Sequence, residues 1–107
     1  MSGSFTVHNL TQIITRLALR LQVGIVTRSN HRTNTVMIRA NPPSTPVAKA
    51  HMIKRALQAL QLPASQKLLI TVEQLGKVNT DPTSSLVSLH RPWKLTCTIV
   101  PHQPPAA

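Results

Sequence analysis

Apolar residues recur along this chain with two different periods, and the points where the period changes divide it into elements. Leu10, Ile13, Ile14, Leu17, Ala18 and Leu21 follow the i, i+3, i+4, i+7, i+8, i+11 spacing that gathers them on one stripe of a helix. Asn9, with Gln12 three residues on, has the residue types of a capping pair, so the pattern predicts a helix from Asn9 to near Gln22, before Gly24. Two stretches rich in β-branched residues follow, 23–28 (VGIVTR) and 34–40 (NTVMIRA), and residues 29–33 between them read as the turn of a β-hairpin. In the second stretch Val36, Ile38 and Ala40 share one face and Thr35, Met37 and Arg39 the other, so one face can be covered while the other stays wet.

Thr45 followed by Pro46 is a cap and first-turn pair that opens a second helix over 46–62. Ala50, Ile53, Leu57 and Leu60 are its inner stripe, and Pro63 its stop. In 67–74 (KLLITVEQ), Leu68, Ile70 and Val72 alternate with Leu69, Thr71 and Glu73; later Trp93, Leu95, Cys97 and Ile99 alternate with Lys94, Thr96 and Thr98 until Pro101. Both read as strands. The stretch 76–92 reads mainly as loop around Asp81 and Pro82, and 101–107 as a disordered Pro-rich tail on a single domain spanning 1–100.

The order α-β-β-α-β-β makes an α+β fold in which two helices pack on one face of a mostly antiparallel four- or five-stranded sheet. A short starting strand at 5–7 would make the first six elements β-α-β-β-α-β, the split βαβ pattern of ferredoxin-like domains. Residues 9–100, with "KRALQALQL" in the second helix, "KLLITVEQLGKV" in the strand after it and "RPWKLTCTIV" at the end, resemble small α-β-β-α-β domains of uncharacterised cyanobacterial proteins. Those domains are usually more acidic than this chain. The resemblance implies a fold and no activity.

Charge changes the picture more than any motif. Twelve Lys and Arg stand against two acids, Glu73 and Asp81, giving a formal net charge of +10. The basicity comes from absent acids, since Lys and Arg are about a tenth of the residues, as in average proteins. With so few compensating charges, a folded surface holds a positive potential that steers anions toward it.

The basic residues fall into groups along the sequence: Arg28, His31, Arg32 and Arg39 at or near the hairpin turn, and Arg16 and Arg20 on one face of the first helix. Lys54 and Arg55 lie with His51 on the second helix, and Arg91 and Lys94 bracket Trp93. These are the candidate anion-binding residues. Nucleic acid is the first expected partner, because phosphate contacts by Arg and Lys need no sequence motif. The alternative is an accessory subunit that docks its positive face on an acidic protein; Leu19 between Arg16 and Arg20, and Met37 beside Arg39, fit an apolar contact inside a charged rim.

Several chemistries are poorly supplied. Two carboxylates, one on a strand and one beside a turn, make an unpromising acid–base dyad, and neither a G-x-S-x-G elbow nor a phosphate-cradling glycine loop occurs. The five histidines lack i, i+3 or i, i+4 spacing and the single Cys97 has no second thiol, so neither a metal site nor a cofactor is expected. Cys97 alternates with Leu95 and Ile99 and reads as a small core residue. The expectation is a non-enzymatic binding module, cytoplasmic, with no apolar run near the ~20 residues of a membrane span. An acid-free start carrying Arg16 and Arg20 is also how an organelle transit peptide looks.

Overall fold

The computed structural model describes residues 4–75 and 91–102. Its elements are α1 (Val7–Arg20), β1 (Ile25–Asn30), β2 (Thr35–Ala40), α2 (Val47–Gln58), β3 (Gln66–Gln74) and β4 (Trp93–Pro101). The four strands form one antiparallel sheet in the order β1-β2-β4-β3. Both helices pack on one face of it, α1 over β1 and β2 and α2 over β3 and β4, as the α+β reading requires. The expected loop over 76–92 falls largely outside the described residues, as does 103–107 of the expected tail, whereas Pro101 ends β4 and the His102 amide donates to the Ser65 carbonyl at 2.7 Å, so the fold takes in the first two residues of that tail.

The connectivity explains why no strand forms at 5–7. β2 and β3 flank β4 and both run antiparallel to it, so β2-α2-β3 is a split βαβ unit with β4 in its slot. β4 is likewise parallel to β1 with β2 between them, the place a strand before α1 would take. The sheet therefore has the neighbour relations of a ferredoxin-like domain, with the strand expected before α1 supplied by β4. Gln66 ties the two ends of this cycle together. Its side chain accepts from the Phe5 amide at 2.8 Å and donates to the Phe5 carbonyl at 2.9 Å, while its backbone lies opposite Pro101 in β4.

Local chemistry sets the helix ends differently from the expected positions. Thr6, in extended backbone, is the N-cap of α1. Its hydroxyl accepts from the Asn9 amide at 3.1 Å, and the Asn9 side chain accepts from the Thr6 amide at 3.0 Å, a reciprocal box that starts the helix three residues earlier than an Asn9 cap would. The earlier start brings Val7 into the core. At the other end Gln22 takes a left-handed φ of 57°, the Gln22 amide donates to Leu19 and the Val23 amide to Ala18 at 2.8 Å. This is the pair of bonds that closes a helix in a Schellman turn, with glutamine in the place glycine usually holds.

Thr45 does not cap α2. Its hydroxyl donates to the Pro42 carbonyl at 2.6 Å, the cap position falls to Pro46 without a side-chain bond, and the helix ends at Gln58 rather than 62. The hairpin is shifted from the expected positions: β1 starts at Ile25 and runs two residues further, to Asn30, and β2 starts at Thr35, one residue late, leaving residues 31–34 as the turn. The Asn30 side chain accepts from the amides of Arg32 and Thr33 at 3.0 and 3.3 Å, and Asn34 takes φ 53°.

The core is aliphatic apart from Trp93. Leu10 and Ile14 of α1, Ala50, Ile53 and Leu57 of α2, Val36 and Ile38 of β2 and the inward row of β4 are all buried, and no polar or charged residue is buried among the described residues. The Trp93 indole meets its one polar obligation by donating to the Thr45 carbonyl at 3.0 Å.

Candidate anion-binding surface

Two helices cover one face of the sheet, so the alternate residues of every strand emerge on a face without a second layer among the described residues. The strand register places these side chains in rows across the sheet. Val26, Arg39, Lys94 and Glu73 form one row, Arg28, Met37, Thr96 and Thr71 the next, and Asn30, Thr35, Thr98 and Leu69 the third. Lys67 lies beyond them opposite Val100. Arg28, Arg39 and Lys67 are exposed, and so are Val26 and Leu69 at 57% and 51%. The face is threonine-rich, edged with apolar side chains and positively charged.

The register changes the grouping expected around the hairpin. Arg39 lies opposite Val26, four pairs below the Asn30–Thr35 pair that closes the turn, which at ~3.4 Å per residue is over 10 Å away. It belongs to the open face and not to the turn. Arg28, opposite Met37, joins the two regions: with Val26, Met37 and Arg39 it lines one shallow recess, and with His31, Arg32 and Met37 a second.

Electrostatics on this face are unbalanced. Arg39 stands directly opposite Lys94, a like-charge pair that costs stability in a sheet. The Glu73 carboxylate, from the next strand in the row, meets the Lys94 ammonium at 3.0 Å and offsets part of that cost. Glu73 is also the only side-chain carboxylate among the described residues, set against eleven of the twelve Lys and Arg. Arg28, Arg39 and Lys67 thus have no side-chain carboxylate facing them on the open face among the described residues.

The other candidates lie elsewhere. Arg16 and Arg20 are exposed on α1 and His51 and Arg55 on α2, with Lys54 half-buried there, all in the helical layer. Arg91 is turned to the sheet end, where Nη2 donates to the Gln74 carbonyl at 3.2 Å. The expected basic set therefore divides between two sides of the molecule. Two lysines among the described residues were not in it. Lys67 carries an open-face charge and was hidden in the sequence by its place at the start of an aliphatic strand. Lys49 donates to the Leu21 carbonyl at 3.2 Å and so caps the C-terminal end of α1.

Trp93 is fully buried on the helical side, so it offers no face for stacking. Cys97 is buried on the same inward row of β4, beyond Leu95, and loss of solvent pushes its thiol up from 9.0 to about 12. At neutral pH it is a protonated, inert core residue. Among the described residues no group of three or more His, Cys, Asp or Glu is placed to hold a metal ion, and no helix is long and apolar enough to cross a membrane. Comparison with protein-family models, curated proteins and solved structures gave no match to this chain.

Proposed function

We propose that this domain is a non-enzymatic binding module for nucleic acid, holding the phosphate backbone on the open face of the sheet and the adjoining hairpin turn. One observation carries the reading. Arg28 and Arg39 project from one end of this face and Lys67 from its far edge strand, and the only carboxylate on the face among the described residues is already paired with Lys94. Arg28 and Arg39, two residues apart in register on adjacent strands, and Lys94 opposite Arg39 crowd like charge at one end of the face, and an anion there offsets the repulsion.

The same face argues for the mode of contact. Sheet domains that read RNA bases stack them on aromatic side chains of the central strands. Here β2 and β4 present Thr35, Met37, Arg39, Lys94, Thr96, Thr98 and Val100. Binding should then depend on phosphate contacts, with little sequence preference and a strong response to salt.

The test is fluorescence anisotropy with labelled mixed-sequence and homopolymeric single strands over a salt titration. Neutralising three or four phosphates corresponds to a log K against log salt slope of about −2 to −3. A slope near zero contradicts the phosphate mode, and absence of binding at low salt contradicts the proposal. A second reading, docking on an acidic protein, is favoured by Leu19, which is 75% exposed on α1 between Arg16 and Arg20.

A further inference from the structure

The two edges of the sheet are not alike. β1 has six residues, and beyond Val26 its exposed side chains are Arg28, Ser29 and Asn30, the polar dressing that discourages further pairing. β3 has nine residues, no proline or glycine, and an unbroken register against β4 from Gln66–Pro101 to Gln74–Trp93, so no bulge turns it aside. Among the described residues its outer side pairs with no strand. Its helix-facing row, Leu68, Ile70 and Val72, is only half-buried, and a recess of about 390 Å³ lined by Leu57, Leu60, Leu68 and Ile70 runs beside it. A long, straight, aliphatic edge of this kind is a template for another strand.

We infer that the occupant is β3 of a second copy of this chain, paired antiparallel about a twofold axis through Ile70. The sequence is self-complementary about that residue. Lys67 of one copy falls opposite Glu73 of the other, Leu68 opposite Val72, Leu69 opposite Thr71 and Ile70 opposite itself. Lys67 and Glu73, the two charged residues of the strand, are thereby paired twice over by symmetry. Slipping the register by two residues either way separates both pairs, and a one-residue slip sets side chains of opposite faces against each other. The result is a continuous eight-stranded sheet with both helical layers on one side. Each half-buried aliphatic row then meets its symmetry mate, and the two open faces join into one surface of doubled charge. β1 cannot match this: pairing about Thr27 sets Val26 against Arg28, with no carboxylate in the strand. The inference rests on the β3 edge; in the dimer Glu73 would lie between Lys94 of its own copy and Lys67 of the other, leaving Arg28 and Arg39 as the open-face cations free for an anion.

Sedimentation analysis of the nuclease-treated chain, alone and as charge-reversed variants, tests it. The wild-type chain is expected at about twice its 11.7 kDa mass at micromolar concentration. Lys67→Glu sets Glu against Glu and Glu73→Lys sets Lys against Lys, so each variant alone should dimerise about tenfold or more weakly. Mixed, the two variants should regain dimer as a heterodimer, because every like pair becomes an opposite one. A folding defect cannot produce that rescue, and both positions are exposed. A wild-type chain that stays monomeric to about millimolar concentration overturns the proposal. So does a dimer whose strength is indifferent to both reversals, or a mixture that behaves as the sum of its parts.

Discussion

The covered and open faces of this sheet are built from alternate residues of the same four strands, yet they answer to different demands. On the covered face Val36, Ile38, Leu95, Cys97 and Ile99 are at most 4% exposed and meet α1 and α2 in an aliphatic core without a buried charge. On the open face threonines alternate with Arg28, Arg39, Lys94 and Lys67, and one pair, Arg39 and Lys94, opposes charge to like charge. Folding dictates the first face, because each aliphatic side chain there removes apolar area from water. From the cations of the second it gains only the partly exposed Lys94–Glu73 pair, which offsets part of the Arg39–Lys94 repulsion. Residues that cost stability in place are the ones whose use is sought in binding.

The largest effects should break this comparison if it is wrong. Leu95→Asp puts a carboxylate into the centre of the covered face and should abolish cooperative thermal unfolding, a loss of several kcal/mol. Thr96→Val, one residue along and facing the other way, should stay within about 0.5 kcal/mol of wild type in a denaturant melt. Similar losses from both would mean that the open face is packed.

A smaller change asks how the covered side is closed at its end. The Gly24 carbonyl accepts from the Asn41 amide at 2.9 Å, and a Cβ on Gly24 would collide with the Asn41 carbonyl oxygen. Because that contact is to backbone, Gly24→Ala should cost about 1–3 kcal/mol by chemical denaturation, and a cost near zero would show that the two segments part easily. The smallest effect has the opposite sign. Gln22 holds a left-handed conformation that glycine adopts without strain, so Gln22→Gly should raise stability by about 1 kcal/mol, seen as a higher melting temperature.

How far all this was legible in the sequence depends on what each feature answers to. The stripe of α1 and the alternation of β4 are local periodicities; burial follows that of β4 residue by residue, and on the α1 stripe Leu10, Ile14 and Ala18 are buried with Ile13, Leu17 and Leu21 half-buried along its margin. The cap of α1 was less legible, since Thr6 beside Phe5 and Val7 has strand-like neighbours, and only the reciprocal bonds with Asn9 decide between strand and cap. β3 has the same alternation as β4, yet its inner row is half-buried, because position at the sheet edge is a property of topology and not of the strand. The open-face cluster was legible in kind but not in membership. Which residue types were available followed from composition, whereas joining Arg28 to Arg39, placing Lys67 at the far edge of the same face, and parting Arg39 from the turn needed the register. That register follows from Asn30 folding residues 31–34 into the turn.

The central claim is that the open face holds the phosphates, and one comparison of dissociation constants tests it most directly. The double variants Arg28→Glu/Arg39→Glu and Arg16→Glu/Arg20→Glu lower the net charge equally, all four positions are exposed, and the pairs lie on opposite layers of the molecule. Measured at one ionic strength on one single-stranded oligonucleotide, the open-face pair should raise Kd at least about tenfold more than the helix pair. Equal losses would show attraction to overall charge with no site on the sheet, and a larger loss from the helix pair would contradict the account.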